Sequence, residues 1–280
     1  MPSRRFFLKS AAVGLTTAAL PPVLSNARDN WWTGAPVTGI QVGLAGYTFH
    51  GIPLDQSIAI INQVGVNSLS IKDFHLPLDA SAQMIEEVLG KFHAAGIEVY
   101  AAGVIYMKTA EEVDRAFAYG QNIKVPMIIG VPNYELLPYV EKKVKETNIR
   151  LAIHNHGPED KLYPGPKDVF DRVKNMDSRI GMCFDIGHGL RAGADPTRSV
   201  MDFGSRIFDL HVKDLKDIKG SESGIEVGRG VIDIPGLVRA LLQIKFKGRC
   251  SIEFELPVKD PVPGIAESVG YFKGVLAALS

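Results

Sequence analysis

The stretch Gly181-Met182-Cys183-Phe184-Asp185-Ile186-Gly187-His188 is an apolar run of strand length that ends abruptly in ionisable residues. The same form recurs in Leu151-Ala152-Ile153-His154-Asn155-His156, in Ile207-Phe208-Asp209-Leu210-His211-Val212-Lys213-Asp214 and in Cys250-Ser251-Ile252-Glu253-Phe254-Glu255. Upstream lie four more apolar runs, at 40–44, 68–71, 99–104 and 127–131. Helix-period stretches separate them, at 55–64, 80–95, 110–119, 134–147, 166–173, 195–203, 233–244 and 263–279. Strict alternation with short connections requires a parallel sheet, and eight such units predict a single (β/α)8 TIM barrel. An open doubly wound sheet would carry a glycine-rich phosphate turn after its first strand, and Gly43-Leu44-Ala45-Gly46 is not that pattern. Gly228-Arg229-Gly230 has no strand entering it and is read as part of a flexible strand-to-helix loop. Asp233 ahead of Pro235 marks a helix start, and Gly96 a left-handed helix stop.

Composition narrows the function. The 280 residues carry 31 Lys+Arg against 31 Asp+Glu, which leaves no basic excess for a phosphate backbone and argues against a nucleic-acid partner. Two cysteines exclude a disulfide framework. At the N-terminus, Ser3-Arg4-Arg5-Phe6-Phe7-Leu8-Lys9, a mild apolar run from Ala11 to Leu20 and small residues up to Ala27 resemble a twin-arginine export signal. The run is shorter than the roughly 20 residues a membrane span needs, so no anchor is expected after cleavage. That reading divides the chain into a signal at 1–27 and a barrel at 28–280, located in the periplasm or otherwise outside the cytoplasm. Removing Arg4, Arg5 and Lys9 with no acid takes the formal charge from zero to −3.

In such barrels the active site lies at the C-terminal strand ends. Side chains two residues apart share a strand face, so His154 with His156, His211 with Lys213, and Glu253 with Glu255 point inward, while Ile153, Phe184, Leu210, Val212, Ile252 and Phe254 point toward the helices. An uncompensated charge crowded there costs on the order of several kcal/mol. A divalent cation removes the difficulty. Asp185, His211, Glu253 and one group from strand five make a mixed nitrogen and oxygen set suited to Mn, Zn, Co or Mg. Lys72 and His75, after strand two, and Tyr47, after strand one, are candidate substrate contacts. Phe49 is either part of the same apolar wall or plain packing. Glu255 is read as a further substrate contact, with pairing to Lys259 the alternative. Cys183 and Cys250 are expected to be buried free thiols.

At these residues the chain resembles the xylose isomerase-like barrel superfamily, in its sugar phosphate isomerase/epimerase branch. The resemblance is carried by Phe184-Asp185-Ile186-Gly187-His188, His211-Val212-Lys213-Asp214, Val227 to Asp233 and Ser251-Ile252-Glu253. It implies that Asp185, His211 and Glu253 hold one divalent metal ion and that His188 hydrogen-bonds a substrate hydroxyl or carbonyl. Family epimerases usually present a glutamate on strand five. Here His154 takes the ligand role, with His156 the alternative, and His156 or Lys213 carries the proton beside Glu253. The implied chemistry is proton abstraction next to a carbonyl of a small carbohydrate, giving isomerisation or epimerisation. Alternatives are β-elimination on 3-keto-sugars or 3-keto-glycosides by a lyase, and, from another class, a catalytically inactive sugar-binding barrel. The sugar, the metal and the oligomeric state are left open.

Overall fold

The computed structural model describes residues 39–220 and 223–280; the segment resembling an export signal lies outside them. Eight parallel strands close into a barrel: β1 (Gln41–Ala45), β2 (Ser68–Ile71), β3 (Glu98–Met107), β4 (Met127–Pro132), β5 (Arg150–His154), β6 (Ile180–Asp185), β7 (Ile207–Val212) and, after a small hairpin, β10 (Arg249–Ile252). β10 pairs with both β7 and β1, which closes the ring. Every residue of β4 and β6 is buried. Helices cover one face and the barrel interior fills the other, which is why these strands read as continuous apolar runs.

The helices arise where local chemistry starts them. In α8 (Ile234–Gln243) the Asp233 carboxylate accepts the Gly236 N–H at 2.9 Å and Pro235 fits the first turn. Its Ile234, Leu237, Val238 and Leu241 recur at helical spacing and are buried in the layer between helices and sheet. Ser81 and Thr109 cap α2 (Ala82–Ala94) and α3 (Ala110–Asn122) in the same way. Gly96 does sit in the left-handed region, at φ +72°. Among the described residues no helix is long and apolar enough to cross a membrane.

Several details depart from the sequence reading. Between β6 and the expected helix α7 (Pro196–Phe203) the chain inserts a short helix, α6 (Ile186–Arg191), capped by Asp185, whose Oδ1 accepts the His188 N–H at 2.7 Å. The eighth barrel strand ends at Ile252 rather than Phe254, because the Phe254 N–H leaves the sheet for Thr48 Oγ1 at 3.0 Å. After β7 an antiparallel hairpin forms from β8 (Asp214–Leu215) and β9 (Gly224–Ile225).

The loop expected to be flexible is clamped. Buried Asp214 accepts backbone N–H bonds from Leu215, Gly228, Gly230 and Ile232 at 2.9 to 3.1 Å. A side chain at Gly230 would strike that carboxylate, which explains the glycine. The clamp holds the loop after β7 against the barrel mouth.

Inside the barrel, Ala152, Cys183, Asp209 and Ser251 are buried, and two residues further along the same strands come His154, Asp185, His211 and Glu253. Side chains at this spacing share a face. The second set therefore forms the next layer up, at the C-terminal mouth.

Candidate active site and metal centre

His154, Asp185, His211 and Glu253 offer ligand atoms that all lie within 4.8 Å of one another. They form a chain of near contacts: Asp185 Oδ2 to His154 Nε2 at 3.6 Å, His154 Nε2 to His211 Nδ1 at 3.0 Å, and His211 Nδ1 to Glu253 Oε2 at 3.2 Å. Ligands about 2.1 Å from one cation are about 3 to 4 Å apart, so the spacing fits a single divalent ion. All four side chains are at most 6% exposed. His154 Nδ1 and His211 Nε2 are buried without a hydrogen-bond partner, and Asp185 Oδ2 has no hydrogen bond besides its ion pair with Lys213 at 3.0 Å. Two imidazoles with two carboxylates suit Zn, Co or Mn.

Electrostatics treat the two imidazoles differently. Burial would lower His211, but Cys183 and Glu253 override it and hold it well above the usual imidazole range, so a metal bound there would displace its proton. Burial, with His156 and His211 nearby, keeps His154 well below the usual imidazole range, hence neutral and free to bind a metal. Burial pushes the Glu253 carboxyl up, but His211 and Lys213 override it and hold it well below the carboxylate range. Burial would also lower Lys213. Asp185, Glu253 and Glu255 keep its ammonium well above the usual lysine range.

Asn155 is buried between the two expected imidazoles and ties β5 to β6. Its amide donates to the Asp185 carbonyl at 3.0 Å and its carbonyl accepts the Asp185 N–H at 2.9 Å. Asp185 is thereby fixed from both sides, a role the sequence reading left unassigned.

His156 lies beside the quartet, its ring 4.4 Å from that of His154 and 5.8 Å from that of His188. Burial, with His188 nearby, lowers it to about 4. It is stacked on Tyr106, whose hydroxyl is 3.1 Å from His156 Nε2, and Asp160 Oδ2 is 3.5 Å from Nδ1. The geometry thus places His154 among the potential ligands and His156 at the rim. His188 Nε2 is 4.0 Å from Asp185 Oδ2, and Arg191, itself paired with Glu159, lies against the other ring nitrogen.

The remaining candidates separate. Lys213 is in the site, within 3.0 Å of Asp185, Glu253 and Glu255, so Glu255 pairs with Lys213 rather than Lys259. Tyr47 is 42% exposed and stacks on His50. Lys72 donates to the Val104 carbonyl at 2.8 Å and pairs with Asp73. His75 departs from the expected substrate contact. It is 5% exposed, packed among Phe49, Phe74 and Phe92, and accepts the Lys72 N–H at 3.3 Å. Phe49 is fully buried packing, and both cysteines are buried free thiols.

Tyr106, 50% exposed at the end of β3, was not singled out from sequence. Asp209 was also missed. Its Oδ2 accepts the Tyr100 hydroxyl at 2.5 Å, and that hydroxyl is 2.6 Å from Ser251 Oγ. The available signal was an aspartate inside an apolar run, two residues before His211 and on its face.

Comparison with known proteins gives the same architecture. Among solved structures, a protein of Parabacteroides distasonis ATCC 8503 is 26% identical, with a TM-score of 0.66 over 84% of this chain and 99% of that one. The IolI protein with a binding zinc atom is 15% identical, with a TM-score of 0.73 over 86% and 99%. The 3-keto-D-glucoside 4-epimerase of E. coli is 13% identical, with a TM-score of 0.67 over 84% and 99%. No curated protein matches the sequence significantly. A family model described as xylose isomerase-like TIM barrel matches residues 134–275, which include the whole quartet and just over half of the sequence, and the chain belongs to that family.

Proposed function

We propose that the protein is a metal-dependent carbohydrate isomerase or epimerase that removes a proton next to a substrate carbonyl. The observation that carries this reading is the quartet His154, Asp185, His211 and Glu253, buried at the barrel mouth with a neutral imidazole, His156, at its edge. A divalent cation held by the quartet would polarise the carbonyl and stabilise the charge that develops as the proton leaves. His156 accepts the proton. With its conjugate acid near 4 it is free to do so at neutral pH, and Asp160 and the Tyr106 hydroxyl steady the ring. Lys213, held as an ammonium, is the candidate to return a proton, while Glu253 stays an ionised ligand and His188 orients a substrate hydroxyl or carbonyl. Tyr47 and Tyr106 offer exposed rings for a sugar face.

The zinc of IolI and the activities of the L-ribulose 3-epimerase and 3-keto-D-glucoside 4-epimerase structures, all sharing this fold, are compatible with the reading. β-Elimination is the second reading. The strand-five histidine supplies no carboxylate for a symmetric two-base exchange, whereas elimination needs one base.

Incubation of metal-loaded protein with aldoses, ketoses and 3-keto-glycosides in D2O, followed by NMR, tests both. Deuterium beside the carbonyl is expected, with an epimer or isomer as product. An unsaturated product selects the lyase, and no exchange with any sugar overturns the proton-abstraction mechanism. Export through Arg4 and Arg5 is part of the same proposal. Changing both to lysine should retain the precursor in the cytoplasm, and unchanged export would refute that route.

A further inference from the structure

The two carboxylate oxygens at the ends of the quartet's contact chain are also held by a side chain of this protein. Lys213 Nζ is 3.0 Å from Asp185 Oδ2 and 2.8 Å from Glu253 Oε2, so the ammonium closes the ring that a metal ion would otherwise join. Its third partner is Glu255 Oε1 at 2.9 Å. The three carboxylates differ sharply. Asp185 and Glu253 are 0% and 5% exposed at the side chain, whereas Glu255 is 40% exposed. The lysine stem reaches this position across Gly187, where a Cβ would lie 2.5 Å from Lys213 Cγ.

A cation within 3 Å of two ligand oxygens opposes a divalent ion on those oxygens, because like charges at this distance repel strongly in a water-poor site. Without such a cation, Asp185 Oδ2 would keep only the imidazoles of His154 and His188 beside it, and Glu253 Oε2 only that of His211. Both facts concern one side chain.

We propose that Lys213 is an internal counter-cation that occupies the metal's carboxylates in the empty site, and that Glu255 receives the ammonium when a metal binds. Lys213 therefore weakens metal affinity and preserves the empty site. Glu255 strengthens affinity by holding the displaced charge. The pair sets the concentration of free metal at which the protein loads, and it rests on the reading that the quartet holds a divalent ion.

Metal affinity, measured on the purified chain by competition with a chromophoric chelator using Zn2+ or Mn2+ alone, tests this without reference to turnover. Lys213→Met should bind about ten- to a hundredfold tighter, the range typical of groups around a metal's direct ligands. Glu255→Gln should bind weaker by about tenfold, and the double variant should resemble Lys213→Met, since Glu255 acts only through the lysine. Metal-free Lys213→Met should also melt lower than wild type and recover on metal addition. If that variant fails to fold without metal, Glu255→Gln still decides, because it keeps the side chain's size at a position that is 40% exposed. Unchanged or weaker binding in Lys213→Met, or unchanged binding in Glu255→Gln, overturns the proposal. Failure of the wild type to bind either metal instead overturns the metal reading itself.

Discussion

Two adjacent layers of the barrel interior are buried to the same depth and behave differently. The lower layer contains Ala152, Cys183, Asp209 and Ser251; the upper, two residues along the same strands, contains His154, Asp185, His211 and Glu253. Below, Asp209 meets a hydroxyl network from Tyr100 and Ser251, and Arg249 lies 4.2 Å from the Tyr100 ring centroid. Burial raises the Asp209 carboxyl to about 6, so a neutral hydrogen-bonded form is within easy reach. Above, the Glu253 carboxylate stays charged, an ammonium is drawn in, and imidazole nitrogens lack partners. Burial alone does not mark a reactive site. Nor does an unpartnered atom, since Asp209 Oδ1 also lacks a hydrogen bond; the gathering of several ionisable groups that perturb one another does.

The largest expected effect comes from breaking the upper layer. His211→Ala or Glu253→Ala should lose the metal and lower turnover by about a hundredfold to a thousandfold or more, while His188→Gln should keep the metal and lose rate or substrate affinity. Elemental analysis beside kinetics checks this. Equal metal loss in all three would place His188 among the ligands.

A fourth buried carboxylate sharpens the contrast, because Asp214 serves architecture alone. It satisfies four backbone N–H groups of the loop after β7. Asp214→Ala leaves them unpaired and should cost about 3 to 5 kcal/mol in urea unfolding. Metal stoichiometry should survive below the transition, and new protease cleavage should appear in 216–232. A stability loss under 1 kcal/mol would show that water replaces the clamp.

These layers were unequally legible in the sequence. The strands were readable because most of their residues are buried on both faces and apolar, and the upper layer because those runs break into His, Asp and Glu at one end. Asp209 was not, since it interrupts its run only once and its partner, Tyr100, comes from β3, more than a hundred positions away. Asp214 was visible as part of a motif, but its role depends on a loop that folds back on it. His75 resembled a mouth residue by position. Its placement among Phe49, Phe74 and Phe92 follows from the path of the chain after β2, which period and composition do not encode.

His75 gives the next prediction, outside both layers. Burial lowers it to about 4 against an ordinary 6.5. The unfolded chain then binds a proton that the folded one refuses between those values, so its contribution is complete above about pH 6.5 and is lost as pH falls toward 4. The full loss is about 3 kcal/mol, since each tenfold weakening of proton affinity corresponds to about 1.4 kcal/mol. His75→Phe should remove this component, so the stability difference between wild type and variant should change across pH 4 to 6.5 and stay flat above 7. A difference constant throughout would mean that His75 is hydrated in the fold.

The smallest effect concerns whether the two layers are separable. Tyr100→Phe keeps the ring under Arg249 but removes the hydroxyl that bridges Asp209 and Ser251, so both lose a partner in a place closed to solvent. One lost hydrogen bond with a buried acceptor should cost about 1 to 3 kcal/mol, visible as a lower urea midpoint with an unchanged slope. If the lower layer is scaffold, metal affinity should move by less than about threefold, because no direct ligand has been touched. Asp209 and His211 nevertheless share a face of β7, and a charge freed at Asp209 lies close to the imidazole above it. A tenfold change in metal affinity on Tyr100→Phe, with the fold intact by circular dichroism, would therefore show that the hydroxyl network sets the electrostatics of His211 and that the two layers work as one unit.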